Sequence, residues 1–323
     1  MKKYLVLLAC AVLLSFPVHA KEEVEARLIF DIGPLGNHSW VLRGIKDGTF
    51  KRHGIDLEVV GVGPGSVKTG LAISAGKAEF GYQDMSGVML VNGKAKKPKF
   101  KAIFVVDDKA QDGMYALKSS GIRTWDDIHG KTTAGFITGT TRFLIPLVTK
   151  AKPVFINTTF AMRVPSLVTG KTVLSDGFMS TMKFNLEAVG VTDFTHLAFG
   201  NALPWTVSRV ITVNSDWAEK NPQLVRNMRK AIMELIIAHA IDTKPSIDAM
   251  TGARVSNAKK RDLEYRRALW NINNLQNTPN TKKNGYNNPS NLNPRLKKYV
   301  DEYTSALALP YKHKYSDYFD LEG

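Results

Sequence analysis

Strand-like and helix-like runs alternate from Ala26 to Val213, start afresh midway, and then give way to helix alone. That pattern confines the chain to an α/β fold built in two parts. Residues 26–31 read as a first strand, 40–52 as a first helix, and 55–60 as a second strand with period-two alternation. After the glycine-rich turn at 61–65, Ser66 is placed to cap a helix running to Ala75, and 79–83 is the next strand. Strands at 101–106 and 114–117 follow. The second series opens with a short helix at 125–129, and Gly139-Thr140-Thr141 opens another helix toward Lys150. Its strands fall at 131–137, 153–156, 171–174 and 194–197. Each series makes a mainly parallel sheet flanked by helices.

Beyond 209–213 the rest is helical. Asn221-Pro222 starts a helix whose apolar positions Leu224, Val225, Met228, Ile232, Leu235 and Ile236 recur on one face. Residues 277–294, rich in Asn, Pro and Gly, read as a long polar loop before a last helix over 295–308. No strand is expected after 213. With 323 residues, the chain exceeds what one hydrophobic core usually serves, so two lobes are expected.

The first twenty residues read as a leader. Lys2 and Lys3 precede an apolar run over 4–18, and Val18-His19-Ala20 supplies small-residue cleavage chemistry, so the mature chain is expected to begin near Lys21. The run is broken by Pro17 and is short against a hydrocarbon layer of ~30 Å. Leu7-Leu8-Ala9-Cys10 also fits the loose pattern for lipid attachment, but cutting there leaves apolar 11–18 on the mature N-terminus with nothing to bury it. A periplasmic location follows. Cys10 is the only cysteine, so the mature chain has no thiol, disulfide or Cys-ligated zinc.

Lysine and arginine total 44 against 29 acidic residues, and removing Lys2 and Lys3 leaves 42 − 29 = +13. Such a field attracts anions. Secretion, scattered lysines and few interleaved aromatics argue against nucleic acid, so the lysines read as solvated faces.

Two α/β lobes in a secreted chain suggest a clamshell with a small ligand in its cleft, beyond the carboxyl ends of the strands. Four turns there carry small and polar residues: 33–40, 63–66, 84–86 and 138–142. Each exposes backbone N–H groups at a helix start, a seat for a carboxylate or sulfonate, although the same residue types serve as plain caps. The candidate contacts are Asn37, His38, Ser39 and Trp40; Gly65 and Ser66; Asp84, Met85 and Ser86; Thr138, Gly139, Thr140, Thr141 and Arg142; and Asp176, Phe178, Phe199 and Trp205. His38 has two readings, a ligand contact or a neutral ring donating to a backbone carbonyl. Asp84 either meets a ligand ammonium or caps the following helix, and Arg142 either pairs with a ligand anion or lies on a solvated helix face. Trp40, Phe178, Phe199 and Trp205 are aromatic walls or core.

The glycine spacing at 61–66 lacks the end of the dinucleotide fingerprint, and no Gly-Lys-Ser/Thr phosphate loop occurs. The histidines show no metal-ligand spacing, and Gly65-Ser66-Val67 does not complete a nucleophile elbow. No enzyme, cofactor or metal is expected.

The chain resembles the periplasmic substrate-binding proteins of ABC importers for sulfonates, taurine, nitrate and thiamine-pyrimidine precursors. The residues that carry the likeness are 44–58, a helix end reading Gly-Ile-Lys-Asp-Gly-Thr-Phe followed by Gly54-Ile-Asp-Leu-Glu58, with Gly63-Pro-Gly-Ser66, 75–81, Asp84-Met-Ser86, 124–131, Asn284-Gly-Tyr286 and Pro294-Arg-Leu296. The resemblance implies a type II two-lobe binding protein, with 21–112 plus 208–323 as lobe 1 and 113–207 as lobe 2. It implies a monomer that delivers a small ligand to a membrane permease driven by a cytoplasmic ATPase. The chain departs from the family's His-Ala-Pro-like run, having His38-Ser39-Trp40, and lacks the cysteine-rich motif of the eukaryotic relatives that make the thiamine pyrimidine. A sulfonate or taurine-like ligand is expected, with an aminopyrimidine or other aromatic heterocycle as the alternative. Outside the family, a periplasmic enzyme or a basic adhesion protein are the rival classes.

Overall fold

The computed structural model describes residues 23–136, 139 and 141–321; residues 1–20, read above as a leader, with Cys10, lie outside the described residues. Among the described residues, ten strands form two five-stranded sheets. The first holds β1 (Val24–Phe30), β2 (Ile55–Val62), β3 (Phe80–Asp84), β4 (Phe100–Val105) and β10 (Arg209–Asn214), and the second holds β5 (Asp112–Leu117), β6 (Thr132–Gly135), β7 (Val154–Asn157), β8 (Leu174–Phe178) and β9 (Phe194–Ala198). The orders are β2-β1-β3-β10-β4 and β7-β6-β8-β5-β9. In each sheet one strand runs against the other four: β10 is antiparallel to β3 and β4, and β5 to β8 and β9. That reversed strand is the one the chain makes on arriving from the other sheet. The crossings are short segments, 106–111 from β4 to β5 and 199–208 from β9 to β10. The mainly parallel two-lobe α/β architecture is therefore as the sequence implies.

Burial explains the strand composition. Every residue of β3 is buried, as befits a central strand covered on both faces. One face of the first sheet packs Phe30, Trp40, Tyr82 and Ile211 against Ile232 and Leu235 of the helix Pro222–Ile241. The other face packs Met85, Val88 and Phe100 against Tyr299 and Tyr303 of the helix Pro289–Ala306. That second core continues through Val207 and Leu203 to Leu144, Leu174 and Phe199, so the C-terminal helix joins the two sheets.

Several local expectations are corrected. The helix over 40–52 is two helices, Ser39–Lys46 and Thr49–Arg52, because Gly48 between them adopts φ 72°, a left-handed conformation that ends a helix. The third strand of the second series is 174–178 rather than 171–174: Ser175 pairs with both Ala134 and Tyr115, so the small polar run enters the sheet ahead of the β-branched one. The segment 277–294 is not a loop. It contains the helix Pro279–Asn284 and the start of Pro289–Ala306; Pro279 and Pro289 occupy first helical positions behind the caps Thr278 and Asn288, and Pro294 lies inside the second helix. Phe319 also makes an isolated parallel bridge with Ala102.

The outer edge of β4 is covered by that bridge at Ala102 and, at its carboxyl end, by the side chains of Asn287 and Tyr286. Asn287, at φ 52°, donates to the Val105 carbonyl at 2.6 Å and accepts from its N–H at 2.8 Å, while the Tyr286 hydroxyl donates to the Val106 carbonyl. Asn287→Ala removes both bonds and leaves alanine in a left-handed conformation, so a cost of about 1–2 kcal/mol is expected as a lower urea midpoint at unchanged m.

Candidate functional site

The carboxyl ends of β1 and β8 face each other across a narrow cleft. One wall is Asp31, Ile32, Pro64, Gly65 and Ser66; the other is Phe136, Gly139, Thr141, Phe160, Arg163, Asp176, Gly177 and Phe178. Gly65, at φ 98°, is the N-cap of the helix Ser66–Ser74, whose first-turn N–H groups lack intrahelical acceptors by position. Ser66 is therefore not the cap. Its hydroxyl donates to Asp31 Oδ2 at 2.6 Å and accepts from the Asp84 N–H at 3.0 Å, tying β1 to β3 below the cleft.

Charge in the walls is paired on each side. Arg209 Nη1 meets Asp31 Oδ1 at 2.5 Å, both side chains fully buried, and Arg163 Nη1 meets Asp176 Oδ1 at 3.0 Å. Arg163 is sandwiched by Phe136 at 4.7 Å and Phe160 at 5.0 Å, and Arg209 lies 4.4 Å over Phe178. Glycine is required beside Asp176: a Cβ at Gly135 would stand 2.7 Å from its carboxyl carbon. Burial raises the Asp176 pKa, opposed by Arg163, and the Arg209 pKa is raised by its acidic neighbours against burial.

Asp84 sits behind this wall. Its Oδ1 accepts from the Ser86 N–H at 2.9 Å and from the Ser86 hydroxyl, and Oδ2 accepts from Ser208 at 2.8 Å. It caps the helix Met85–Gly93, so the protein's own carboxylate fills that helix start. Burial raises its pKa, and that of Asp112 more strongly. Asp107, at the start of the 106–111 crossing, is pushed by burial from 3.8 to about 7. It accepts from Gln111 Nε2 at 2.8 Å and Asn271 Nδ2 at 3.1 Å. A folded-state pKa above the unfolded one means that this group's contribution to stability is full below pH 3.8 and is lost as the pH rises through about 7. Asp107→Asn abolishes that loss. The melting temperature of the variant minus that of the wild type should climb from pH 4 to 7 and level off above it.

The expected contacts separate into groups. Gly65, Ser66, Gly139, Thr141, Asp176 and Phe178 line the cleft together. Thr138 and Thr140 lie outside the described residues. Asn37, His38, Ser39 and Trp40 are fully buried in the turn after β1, with His38 4.7 Å and Trp40 5.8 Å from the Tyr82 ring. His38 Nδ1 accepts from the Leu35 N–H at 3.0 Å rather than donating to a carbonyl, and burial lowers its pKa well below 6.5. Met85 and Ser86 are buried in the first turn behind Asp84, away from the cleft lining. Phe199 packs on Trp125 at 4.6 Å and Trp205 on Tyr299 at 5.6 Å, neither of them in the lining. Arg142 lies over Phe143 and Phe155 at 5.2 and 5.9 Å. Sequence reading missed Asp31, Ile32, Pro64, Phe136, Phe160, Arg163 and Gly177 of the lining, and Arg209 beneath it. A carboxylate at the end of the first strand, Asp31, was the available signal.

Known proteins share this architecture. The alkanesulfonate-binding protein SsuA of Xanthomonas axonopodis pv. citri, bound to MOPS, superposes with a TM-score of 0.69 at 12% identity, over 93% of this chain and 99% of that one. The periplasmic aliphatic sulphonate binding protein SsuA of Escherichia coli gives 0.64 at 13% identity over 89% and 94%. The periplasmic nitrate-binding protein NrtA of Synechocystis PCC 6803 gives 0.58 at 14% identity over 77% and 70%. At such identities the likeness is one of fold. No curated protein matches the chain by sequence. The profile of the family described as NMT1/THI5 like matches residues 36–238, well over half of the chain, and the chain belongs to that family.

Proposed function

We propose that this protein is the solute-binding component of an ABC importer, taking a small polar organic ligand of the sulfonate or taurine-like class between its lobes. The observation that carries this reading is the cleft walled from both sheets at the carboxyl ends of their strands, with an arginine–aspartate pair on each side. Lobe 1 comprises 21–112 and 208–323, and lobe 2 comprises 113–207. The leader is cut near Lys21, and the mature protein works as a periplasmic monomer that presents its closed form to an inner-membrane permease with a cytoplasmic ATPase. No chemistry is required of it. Ligand contacts from both lobes favour the closed form, and only their differential strength can close it. A second reading, an aminopyrimidine or other aromatic heterocycle, is supported by the three phenyl rings Phe136, Phe160 and Phe178 that line the cleft together with Asp176.

The test is a thermal-shift and calorimetry screen of the mature protein against taurine, alkyl and aryl sulfonates, nitrate, carboxylates and aminopyrimidines. A ligand at 100 times its Kd adds about 2.7 kcal/mol to stability. One saturable binder, with a fall in radius of gyration by X-ray scattering, is expected. Turnover of a panel compound would replace the receptor with an enzyme, and salt-sensitive binding to polyanions alone would replace it with an adhesion protein.

A further inference from the structure

Arg209 is a fully buried arginine beside the cleft, and it is only half used. Nη1 is held by Asp31, whereas Nε and Nη2 bond to none of the described residues. These two atoms form one edge of the guanidinium, the geometry that grips two oxygens of an oxyanion at once. Phe178 and Tyr82 lie at 4.4 and 5.8 Å from the guanidinium carbon, and a ring stacked on its face leaves in-plane N–H groups to bond elsewhere.

The neighbourhood repeats the same unmet demand. His38 shares the Tyr82 ring with Arg209, and because its Nδ1 accepts from Leu35, its proton is on Nε2, which has no partner among the described residues. Both side-chain polar atoms of Asn37 are likewise buried and unpartnered, and its carbonyl lies 3.5 Å from the Tyr82 hydroxyl. Buried polar atoms are almost always bonded, and each one left unmet costs about 1–3 kcal/mol. Arg209 Nε and Nη2, His38 Nε2 and Asn37 Nδ2 are thus four buried N–H donors without partners among the described residues, on three residues that each touch Tyr82, and they are matched to an acceptor-rich ligand group. Asp31 and Phe178 touch Arg209 and also line the cleft, so the site adjoins it.

We infer that the ligand's anionic group is bound by the Nε–Nη2 edge of Arg209 with His38 Nε2 and Asn37 Nδ2, and that the ligand is an organic monoanion whose compact apolar or aromatic body lies among Phe136, Phe160 and Phe178. This rests on the receptor reading above and narrows its ligand class. The two carboxylates that line the cleft, Asp31 and Asp176, are each already paired with an arginine, so neither is a free counter-charge for a ligand ammonium. One guanidinium shared with Asp31 also disfavours a second negative charge. Carboxylate and sulfonate heads share the required acceptor chemistry.

The test is calorimetry on the mature protein with graded alkyl and aryl carboxylates and sulfonates, each set beside its neutral amide or sulfonamide, together with taurine and aminopyrimidines. The best binder should be a monoanion with an apolar body, and its neutral counterpart should bind about 10–100-fold more weakly. Arg209→Lys keeps a cation for Asp31 but loses the two-pronged edge, and should lower affinity by a similar factor. Asn37→Ala and His38→Gln, which leave the Arg209–Asp31 pair in place, should each lower it less. Carboxylate and sulfonate arms show which head the edge prefers. Best binding by taurine or an aminopyrimidine, or an affinity that ignores both ligand charge and all three substitutions, overturns this inference and leaves the receptor standing. Binding by no compound of any class overturns the receptor reading and this inference with it.

Discussion

Arg209→Met should destabilise the protein by about 3–5 kcal/mol, because it leaves Asp31 as a buried charge without its partner. The pair spans the first sheet from β1 to β10, and both side chains are sealed from solvent. Asp31 also accepts from Ser66, which in turn holds the Asp84 N–H, so the loss reaches the turn that starts the helix Ser66–Ser74. Methionine restores much of the volume but none of the charge, and an isolated carboxylate in such a place must either take up a proton or draw in water. Asp31→Leu should cost a comparable amount for the mirror reason. The double variant should be far less than additive, since replacing a whole buried pair by apolar residues is often close to neutral. Urea unfolding of the two single variants and the double variant measures this. Single variants within 1 kcal/mol of the wild type would mean that the pair carries no such burden.

What the sequence disclosed, and what it withheld, divides along physical lines. Strands announce themselves by apolar runs, so β1, β2, β3, β4 and β10 were legible to within a residue or two, as was the helix Pro222–Ile241 from its one-faced stripe. The 277–294 segment was misread because Asn, Pro and Gly mark both loops and helix starts; only the positions of Pro279 and Pro289 behind Thr278 and Asn288 tell them apart. Six of the expected contacts line the cleft; Gly65, Ser66, Gly139 and Thr141 come from turns where a strand gives way to a helix, the feature that composition reveals, and Asp176 and Phe178 lie in β8 itself. Arg163 and Arg209 stayed hidden since each reads alone as an ordinary charged residue. Their meaning comes from Asp176 and Asp31, which are 13 and 178 positions away in the chain. Trp205 looked like a ligand wall because it lies in a crossing segment, yet its ring is taken up by Tyr299 and Lys298 of the C-terminal helix.

Glu264→Ala should be comparably damaging, about 3–5 kcal/mol, although Glu264 stands 228 positions from the turn it holds. Its Oε2 accepts from the Gly36 N–H at 2.7 Å, its Oε1 meets Arg267 Nη1 at 2.6 Å, and Arg267 Nη2 reaches Asn185 Oδ1 at 2.6 Å. Glu264 and Arg267 are both buried, and burial lowers the Arg267 pKa against the pull of Glu264. A Cβ at position 36 would collide with the Glu264 carbonyl, so only glycine lets the turn lie this close to the helix Ala258–Asn271. The turn beside Asn37 and His38 is thereby linked, through one carboxylate and one guanidinium, to the helix Met179–Ala188 that follows β8 in the second sheet. Removing Glu264 strands the arginine and frees the turn at once. Arg267→Met breaks the link to Asn185 while keeping the volume, and the Glu264→Ala/Arg267→Met pair should cost less than the sum of its parts. Unfolding in urea gives the energies, and X-ray scattering reads the link itself. A larger radius of gyration in Arg267→Met than in the wild type is the expected sign that this buried pair helps to hold the two sheets together, and an unchanged radius would confine its role to the stability of the turn.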